Sequence, residues 1–294
     1  MKRTRIFGLT SLAMIAFASN SLLCRAALKQ TSIDAATFTF IRIFSGAAAL
    51  WLIMKMRNAS AGAAVYDRRS EGNWLSAAAL FVYAAAFSFA YNTLSAGMGA
   101  LLLFGAVQAT MILWGLRAGE KLQAIQIIGL VVAASGLVVL VFPGLSAPPF
   151  SGSILMFGAG VAWGIYSLRG KTASDAIAAT AGNFIRAVPF ALAVSLALFP
   201  WARFDFLGTT YAVLSGAITS GLGYMIWYSA LPGLKAAGAA TVQLSVPVLA
   251  ATGGIFLLGE PITLRYALAS IAVLGGIVLV VIEKTQPGKE NEMI

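Results

Sequence analysis

The stretch TFTFIRIFSGAAAL, residues 37–50, is a long apolar segment with one arginine inside it. A second apolar segment, AGNFIRAVPFALAV at residues 181–194, carries the same tripeptide Phe-Ile-Arg. An arginine near the centre of a lipid bilayer costs about 2.5–3.5 kcal/mol on insertion scales, so its presence in two apolar segments needs a reason. Duplication of the segment and a function of the charge are the two candidate explanations.

The composition indicates a membrane protein. Hydrophobic residues make up 60% of the chain and charged residues 10%, and the mean hydropathy is +0.87. Soluble domains average about 45–50% apolar and about 25% charged residues. The net charge of +10 does not indicate nucleic-acid binding, because the basic residues lie between apolar segments, as the positive-inside rule predicts. A single cysteine, Cys24, cannot form a disulfide within the chain and is interpreted as a small apolar helix residue.

Apolar runs of about 20 residues, the length that crosses a hydrocarbon core as a helix, predict ten transmembrane spans. Their approximate limits are 6–28, 35–57, 73–92, 95–117, 122–142, 151–170, 177–200, 206–230, 235–258 and 264–283. The connections are short, so the sequence leaves no room for a soluble domain.

Recurring residues indicate an internal duplication. Phe40–Arg42 recurs as Phe184–Arg186, and the pair Gly119–Glu120 recurs as Gly259–Glu260 at nearly the same separation. Gly8, Ala18 and Arg25 of the first span recur as Gly152, Ala162 and Arg169. We therefore interpret the first segment as a span and not as a cleaved signal peptide. Because each copy has five spans, an odd number, the second copy must be inverted relative to the first. We therefore expect an all-α membrane protein with ten transmembrane helices in a five-plus-five inverted repeat, residues 1–145 and 146–294.

The basic residues also predict an orientation. Most Lys and Arg side chains fall in the connections on the same side as the two termini. The positive-inside rule therefore predicts that both termini are cytoplasmic.

Several motifs resemble a known family. The Gly-Glu pairs that close the fourth and ninth spans, Pro247 in the ninth span and Trp163–Gly164 in the sixth resemble the EamA branch of the drug/metabolite transporter superfamily. The stretch ALLLFGAVQATMILWGLRAGEKL, residues 100–122, is similar to the YddG-like aromatic amino acid exporters of that branch. The resemblance implies a transporter of the bacterial inner membrane that exports amino acids, aromatic and other apolar ones first, by alternating access.

Aromatic and amide side chains at helical spacing predict a substrate site. They could form aromatic walls with a few neutral polar groups, which suits a small amphiphile, although packing alone is the alternative for the mid-span rings. Aromatic residues near span ends, such as Trp74 and Trp114, are interpreted as an interfacial belt. The candidate substrate-binding residues are Asn20, Tyr83, Phe87, Gln108, Trp163, Tyr166, Tyr224, Tyr228, Gln243 and Ser245.

Two prolines and the two repeated arginines are candidate gating residues. Pro232 and Pro247 permit bends in the eighth and ninth spans. Arg42 and Arg186 are expected near opposite faces of the membrane. One interpretation is that each extends to the interface or binds carbonyls at a neighbouring helix end. The other is that they border two vestibules and attract a carboxylate.

The residue types that the sequence lacks exclude several function classes. It has no histidine, one cysteine and no clustered carboxylates, so we expect no metal site, no cofactor and no enzymatic activity. No phosphate-binding loop is present, which disfavours direct use of ATP. All acidic residues fall at span ends or in connections, and Glu120 and Glu260 are expected to pair with Lys121 and Arg265. A facilitator or exchanger is therefore predicted rather than a proton-coupled pump.

The predicted partners are an amino acid substrate and the lipid bilayer, with the chain as a monomer or homodimer. Efflux of lipophilic drugs or quaternary cations is the alternative function, since aromatic walls would bind cations through cation–π contacts. The fifth and tenth spans are aliphatic on every side, and we expect them to be peripheral scaffold that faces lipid or another copy of the chain.

Overall fold

A computed structural model describes residues 3–61, 72–117, 119, 123–142, 147–171, 173, 175–231, 234 and 242–281, and all regular structure in these residues is helical. The first seven helices are α1 (Arg3–Gln30), α2 (Ala35–Ala61), α3 (Trp74–Tyr91), α4 (Ala96–Arg117), α5 (Ala124–Val141), α6 (Phe150–Gly170) and α7 (Ala176–Ala197). A short 3₁₀ turn (Phe199–Trp201) precedes α8 (Phe206–Leu214), a π-helical segment (Ser215–Leu222), α9 (Gly223–Ala230), α10 (Ser245–Leu258) and α11 (Leu264–Val281).

The helices confirm that the chain is an all-α membrane protein. Seven of them, α1 to α7, are long and apolar enough to cross a membrane. Helix α8, the π-helical segment and α9 follow one another without a break and correspond to the predicted eighth span. Helices α10 and α11 correspond to the ninth and tenth spans, although the predicted start of the ninth span, residues 235–241, lies outside the described residues.

An ion pair lies at each of the two ends of the bundle. We call the end at which α1, α3 and α10 finish the Glu260 end, because there Glu260 binds Arg25 of α1 and the backbone amide of Ala96 at the start of α4, and Arg25 in turn donates to the Tyr91 carbonyl of α3. The opposite end, where α2 finishes and α7 begins, is the Asp175 end. At that end Arg57 donates two hydrogen bonds to the Asp175 carboxylate, at 3.1 and 2.7 Å.

Aspartates begin three of the described helices, α2, α7 and α8; at α8 the Asp205 carboxylate accepts from the backbone amide of Gly208. Asp175 accepts hydrogen bonds from the backbone amides of Ile177 and Ala178 at the start of α7. Partial burial alone would raise the pKa of its carboxyl, but the hydrogen bonds from Arg57 and from these amides outweigh burial and hold the pKa below its usual range. Asp34 begins α2 in the same way through the amides of Ala36 and Thr37. These caps fix where the α2 and α7 helices enter the bundle.

Helices α5 and α11 form a pair at the edge of the bundle. They pack mainly on each other, and a Cβ added at Gly276 would lie 2.5 Å from the Gly129 carbonyl oxygen of α5. Small residues let the two backbones approach closely, as in membrane helix pairs. Ile127, Ile128 and Val131 of α5 are exposed at the surface of the chain. This placement agrees with the prediction of a peripheral scaffold, with the two helices covering one face of each other.

Helix α2 crosses the π-helical segment at two glycines. A Cβ added at Gly216 would overlap the Arg42 carbonyl oxygen and the Ser45 hydroxyl. A Cβ added at Gly46 would lie 2.5 Å from the Phe184 ring and 2.9 Å from the Gly216 carbonyl oxygen. The missing side chains therefore let α2 and the π-helical segment touch through their backbones, one helical turn from Arg42.

We expect Gly216→Ala to destabilise the fold. The new methyl group has no space at the α2 crossing, and overpacking of this kind costs about 1–3 kcal/mol. Gly158→Ala on α6 is the matched control, because a Cβ at Gly158 meets no atom within 4 Å. Thermal unfolding of the purified variants in detergent should show a lower midpoint for Gly216→Ala alone. Equal midpoints for the two variants would contradict the close crossing.

Candidate functional site

Arg42 of α2 lies in the centre of the bundle with 1% of its surface exposed. Its Nε donates a hydrogen bond to the Ser220 hydroxyl at 3.0 Å. Its Nη2 donates to the hydroxyls of Tyr224 at 2.9 Å and Tyr83 at 3.2 Å. One guanidinium group therefore joins α2, α3, the π-helical segment and α9.

No described carboxylate neutralises Arg42. The ion pairs of the described residues are Arg25–Glu260 and Arg57–Asp175, one at each end of the bundle. Nη1 of Arg42 has no hydrogen-bond partner, and the guanidinium carbon lies 5.0 Å from the Phe87 ring centre and 5.3 Å from that of Tyr83. Aromatic rings and neutral hydroxyls thus surround a buried positive charge, an arrangement that costs several kcal/mol of desolvation.

Asn20 of α1 binds three hydroxyl groups of the π-helical segment. Its Oδ1 accepts hydrogen bonds from Ser215 at 2.7 Å, Thr219 at 3.2 Å and Ser220 at 3.4 Å. Its Nδ2 donates to the Tyr83 hydroxyl at 3.3 Å. We call these residues together the polar core; it consists of Asn20, Arg42, Tyr83, Ser215, Thr219, Ser220 and Tyr224.

The π-helical geometry explains how Ser215 and Ser220 reach the same asparagine. In an α-helix, residues five positions apart point about 140° away from each other, because each residue turns by about 100°. A π-helix closes its hydrogen bonds between residues five positions apart, so their side chains come onto a similar face. The wider helix therefore directs both serines and Thr219 at Asn20. Short π-helical segments within α-helices are frequent at functional sites.

An aromatic cluster surrounds the polar core, with Trp163 at its centre. The Trp163 ring centre lies 4.6 Å from that of Tyr224, 4.9 Å from Tyr83, 5.5 Å from Phe17 and 5.6 Å from Tyr166. The cluster contains Phe17, Tyr83, Phe87, Tyr91, Trp163, Tyr166, Phe184, Tyr224, Trp227 and Tyr228. All ten rings are buried.

The structure brings most of the predicted site residues together. They come from α1, α3, α6 and α9, and they are Asn20, Tyr83, Phe87, Trp163, Tyr166, Tyr224 and Tyr228. Gln108 on α4 and Gln243, just before α10, are buried as well. Ser245 is exposed, and its hydroxyl donates to the Val242 carbonyl at 2.7 Å, so it does not reach the cluster.

The candidate gating residues lie in different surroundings. Arg42 neither extends to the interface nor binds a helix-end carbonyl, contrary to the first interpretation of the arginines. Arg186 is partly exposed and donates to the Gly182 carbonyl of its own helix at 3.1 Å. Pro247 is buried within α10, and Pro232 lies outside the described residues.

The list of candidate residues lacks seven members of the site: Phe17, Tyr91, Phe184, Ser215, Thr219, Ser220 and Trp227. Phe17 lies three positions before Asn20 and so shares its face of α1, a signal that the spacing alone could have given. Ser215 and Thr219 lie four positions apart on one face as well, but neither could be linked to Ser220 without the π-helical geometry.

The expected partner of Glu260 was wrong. Glu260 Oε1 accepts from Arg25 Nε at 3.0 Å, and Oε2 accepts from the backbone amide of Ala96 at 2.8 Å. Arg25 also donates to the Tyr91 carbonyl at 2.8 Å, so Glu260 ties α10 to α1 and to the connection between α3 and α4. Arg265 instead donates to the Phe142 carbonyl at the end of α5, because α11 packs on α5. Glu120 and Lys121 lie outside the described residues.

Comparisons with known proteins agree with a membrane transporter. Residues 150–282 match the model of the EamA-like transporter family. An uncharacterized protein of Pseudomonas aeruginosa is 55% identical over 280 residues, which are 95% of this chain and 96% of that protein. The uncharacterized transporter YetK of Bacillus subtilis is 25% identical over 179 residues, covering 57% of this chain and 54% of that protein. An uncharacterized transporter of Archaeoglobus fulgidus is 28% identical over 198 residues, covering 64% of this chain and 68% of that protein.

A solved crystal structure shares the fold. It superposes with a TM-score of 0.64 at 15% identity, over 95% of this chain and 98% of the other. At that identity the likeness concerns the fold alone. Taken together with the close relative and the family match, these findings show that the chain belongs to the EamA-like transporter family, whose members are membrane transporters and not enzymes.

Proposed function

We propose that the chain exports amino acids with aromatic or other apolar side chains across the bacterial inner membrane by alternating access. The observation that carries the proposal is the buried aromatic cluster with a positively charged polar core inside it. Aromatic rings offer an apolar wall to the side chain of such a substrate, while the polar core offers hydrogen bonds to its backbone groups. The resemblance of residues 100–122 to YddG-like exporters supports the same proposal.

The charge of Arg42 argues against the alternative of drug or quaternary-cation efflux. No described acidic side chain lies against the guanidinium. A cation bound about 5 Å away would be disfavoured by about 3 kcal/mol at an effective dielectric constant of about 20. That is a loss of about a hundredfold in affinity, which exceeds the gain from a typical cation–π contact.

The helix packing supports an inverted repeat with copies at residues 1–145 and 146–294. Helix α2 packs on α7, α4 on α10 and α5 on α11, so each of these three helices contacts its own counterpart. The contact of α3 with α6 has its counterpart in the contact of α9 with α1. This pairing is what a pseudo-two-fold axis in the membrane plane would produce, and in transporters with inverted repeats the substrate site lies between the halves.

Alternating access would open the two ends of the bundle in turn. With both termini cytoplasmic, the Glu260 end faces outward and the Asp175 end faces inward. The Arg25–Glu260 pair then closes the outer end, and the Arg57–Asp175 pair closes the inner end. Each opening must break one of these ion pairs while the other holds.

A facilitator or exchanger fits the placement of the acidic groups. Among the described residues, Glu260 is the buried acidic side chain, and it is bound to Arg25 and to a backbone amide. Proton antiport usually requires a titratable group that competes with the substrate at the site. The polar core supplies no carboxylate or histidine for that purpose among the residues that the structure describes.

Removal of the central ring should impair transport. We expect Trp163→Ala to lower the initial rate of labelled phenylalanine uptake into proteoliposomes by about tenfold or more, because the substrate loses its contact with the central ring. A loss of about 1.4 kcal/mol of binding free energy corresponds to a factor of ten. Trp114→Ala is the control, since Trp114 is exposed on α4. Alanine at Tyr83 or Tyr224 should impair uptake as well. Variants with normal folded yield that all transport like the parent would contradict the site assignment.

Net transport should follow the substrate gradient. Proteoliposomes with equal pH on both sides should fill with labelled phenylalanine until the internal and external concentrations are equal. An imposed pH step should change the initial rate little. Accumulation above the external concentration that depends on the pH step, and that an ionophore abolishes, would show proton coupling instead.

A further inference from the structure

We propose that Arg42 binds the carboxylate of the transported substrate, and that the substrate class is therefore aromatic monocarboxylates, with or without an amino group. This inference rests on the proposed function, because it assumes that the substrate enters the aromatic cluster. It goes further, because it states that the site recognises the carboxylate of the substrate and not its amino group.

The guanidinium of Arg42 retains unused donors. Nε and Nη2 are engaged by hydroxyl groups, whereas Nη1 is buried and has no hydrogen-bond partner. A buried donor without a partner costs about 1–3 kcal/mol, and more when the group is charged. A carboxylate supplies both the missing acceptors and the missing negative charge, and it matches the planar fork of arginine.

Two indole groups in the cluster are also unpaired donors. The Nε1 atoms of Trp163 and Trp227 are buried and have no hydrogen-bond partner. The Trp163 ring packs against the rings of Tyr83 and Tyr224, the two tyrosines whose hydroxyls Arg42 contacts. Indole and guanidinium N–H groups donate only, and an ionised carboxylate accepts only. Of the buried groups of the site without a hydrogen-bond partner, these three N–H groups can only donate, and the Tyr166 hydroxyl can donate or accept. A ligand with acceptors can therefore satisfy all of them.

The site offers little to an ammonium group. The amide oxygen of Asn20 is already occupied by three hydroxyl donors. The described acidic residues lie at the ends of the bundle, where Glu260 and Asp175 have arginine partners. An α-amino group would thus enter a positively charged site without a counter-ion. We therefore expect that removal of the amino group from the substrate preserves binding.

The burial of Arg42 is not a general property of the Phe-Ile-Arg tripeptide. Arg186, in the second copy of the tripeptide, is partly exposed and donates to a carbonyl of its own helix. The two copies of the tripeptide therefore place their arginines in different surroundings. Arg42 is instead directed at the polar core by the crossing of α2 with the π-helical segment, where Gly46 and Gly216 let the backbones touch. The same geometry places its free Nη1 among the aromatic rings.

Three phenyl compounds test the recognised group directly. They are phenylalanine, 3-phenylpropanoate, which keeps only the carboxylate, and 2-phenylethylamine, which keeps only the ammonium. Binding to the purified protein is measured by the shift in thermal unfolding and by quenching of tryptophan fluorescence. We expect phenylalanine and 3-phenylpropanoate to bind with affinities within about tenfold of each other, and 2-phenylethylamine to bind at least about tenfold more weakly. Preference for 2-phenylethylamine, or equal binding of all three, would overturn the inference.

Substitution of Arg42 separates recognition from structure. Arg42→Gln should lower the affinity for 3-phenylpropanoate by about tenfold or more, because the attraction to the carboxylate is lost. The same substitution should raise the affinity for 2-phenylethylamine, because the charge that repels its ammonium group is gone. A merely structural role would weaken both compounds together, and that result would overturn the inference. Arg42→Lys should keep the preference for the carboxylate, since it keeps the charge. Arg203→Gln is the control: Arg203 is exposed at the Glu260 end, away from the polar core, so all three affinities should stay unchanged.

The experiments can contradict carboxylate recognition and amino acid export independently of each other. If phenylalanine is transported but 3-phenylpropanoate neither binds nor competes, the inference fails and the proposed function stands. If phenylalanine is not transported but 3-phenylpropanoate binds through Arg42, the proposed function fails and carboxylate recognition stands. If neither Arg42 variant folds, the comparison of the three compounds on the unaltered protein decides.

Discussion

A positive charge held among aromatic rings, far from any described carboxylate, is the constraint on which the centre of this molecule depends. Burial of Arg42 is expensive, and the protein offsets part of the cost with three neutral hydroxyls and two ring faces. These groups come from three different parts of the chain. The bundle must therefore keep α2, α3 and the helix that contains the π-helical segment in one arrangement for as long as the charge stays unpaired.

Two backbone features make that arrangement possible. Glycines at the crossing of α2 with the π-helical segment bring the Arg42 side chain within reach of Ser220. The π-helical turn then places Ser215 and Ser220 on a similar face, where both bind Asn20. The ion pairs at the two ends hold α1 and α2, the helices that carry Asn20 and Arg42 of the polar core. Small residues such as Gly46 and Gly216 are therefore needed around the site as well as aromatic ones.

The sequence predicted the helices and most of the ring cluster because both leave strong local patterns. Apolar runs of membrane length and aromatic residues at helical spacing are visible without any tertiary information. The central place of Arg42 could not be predicted, because its position in its span is equally compatible with contact at the interface. The π-helical turn has no sequence signal that separates it from an ordinary α-helix. Glu260 was assigned to the wrong arginine, since Arg265 is near in sequence whereas Arg25 approaches it only through the packing of α1 on α10.

The central claim is that substrate binds inside the aromatic cluster with its acidic group at Arg42. Anomalous X-ray diffraction from crystals grown with 4-bromophenylalanine locates the bromine atom directly. The account predicts a bromine peak among the rings of the cluster, beside Trp163, with the carboxylate of the ligand within hydrogen-bond distance of the Arg42 guanidinium. A single bromine peak outside the bundle core, for example on the exposed face of α5, with Arg42 still bound to Tyr83 and Tyr224, would contradict it.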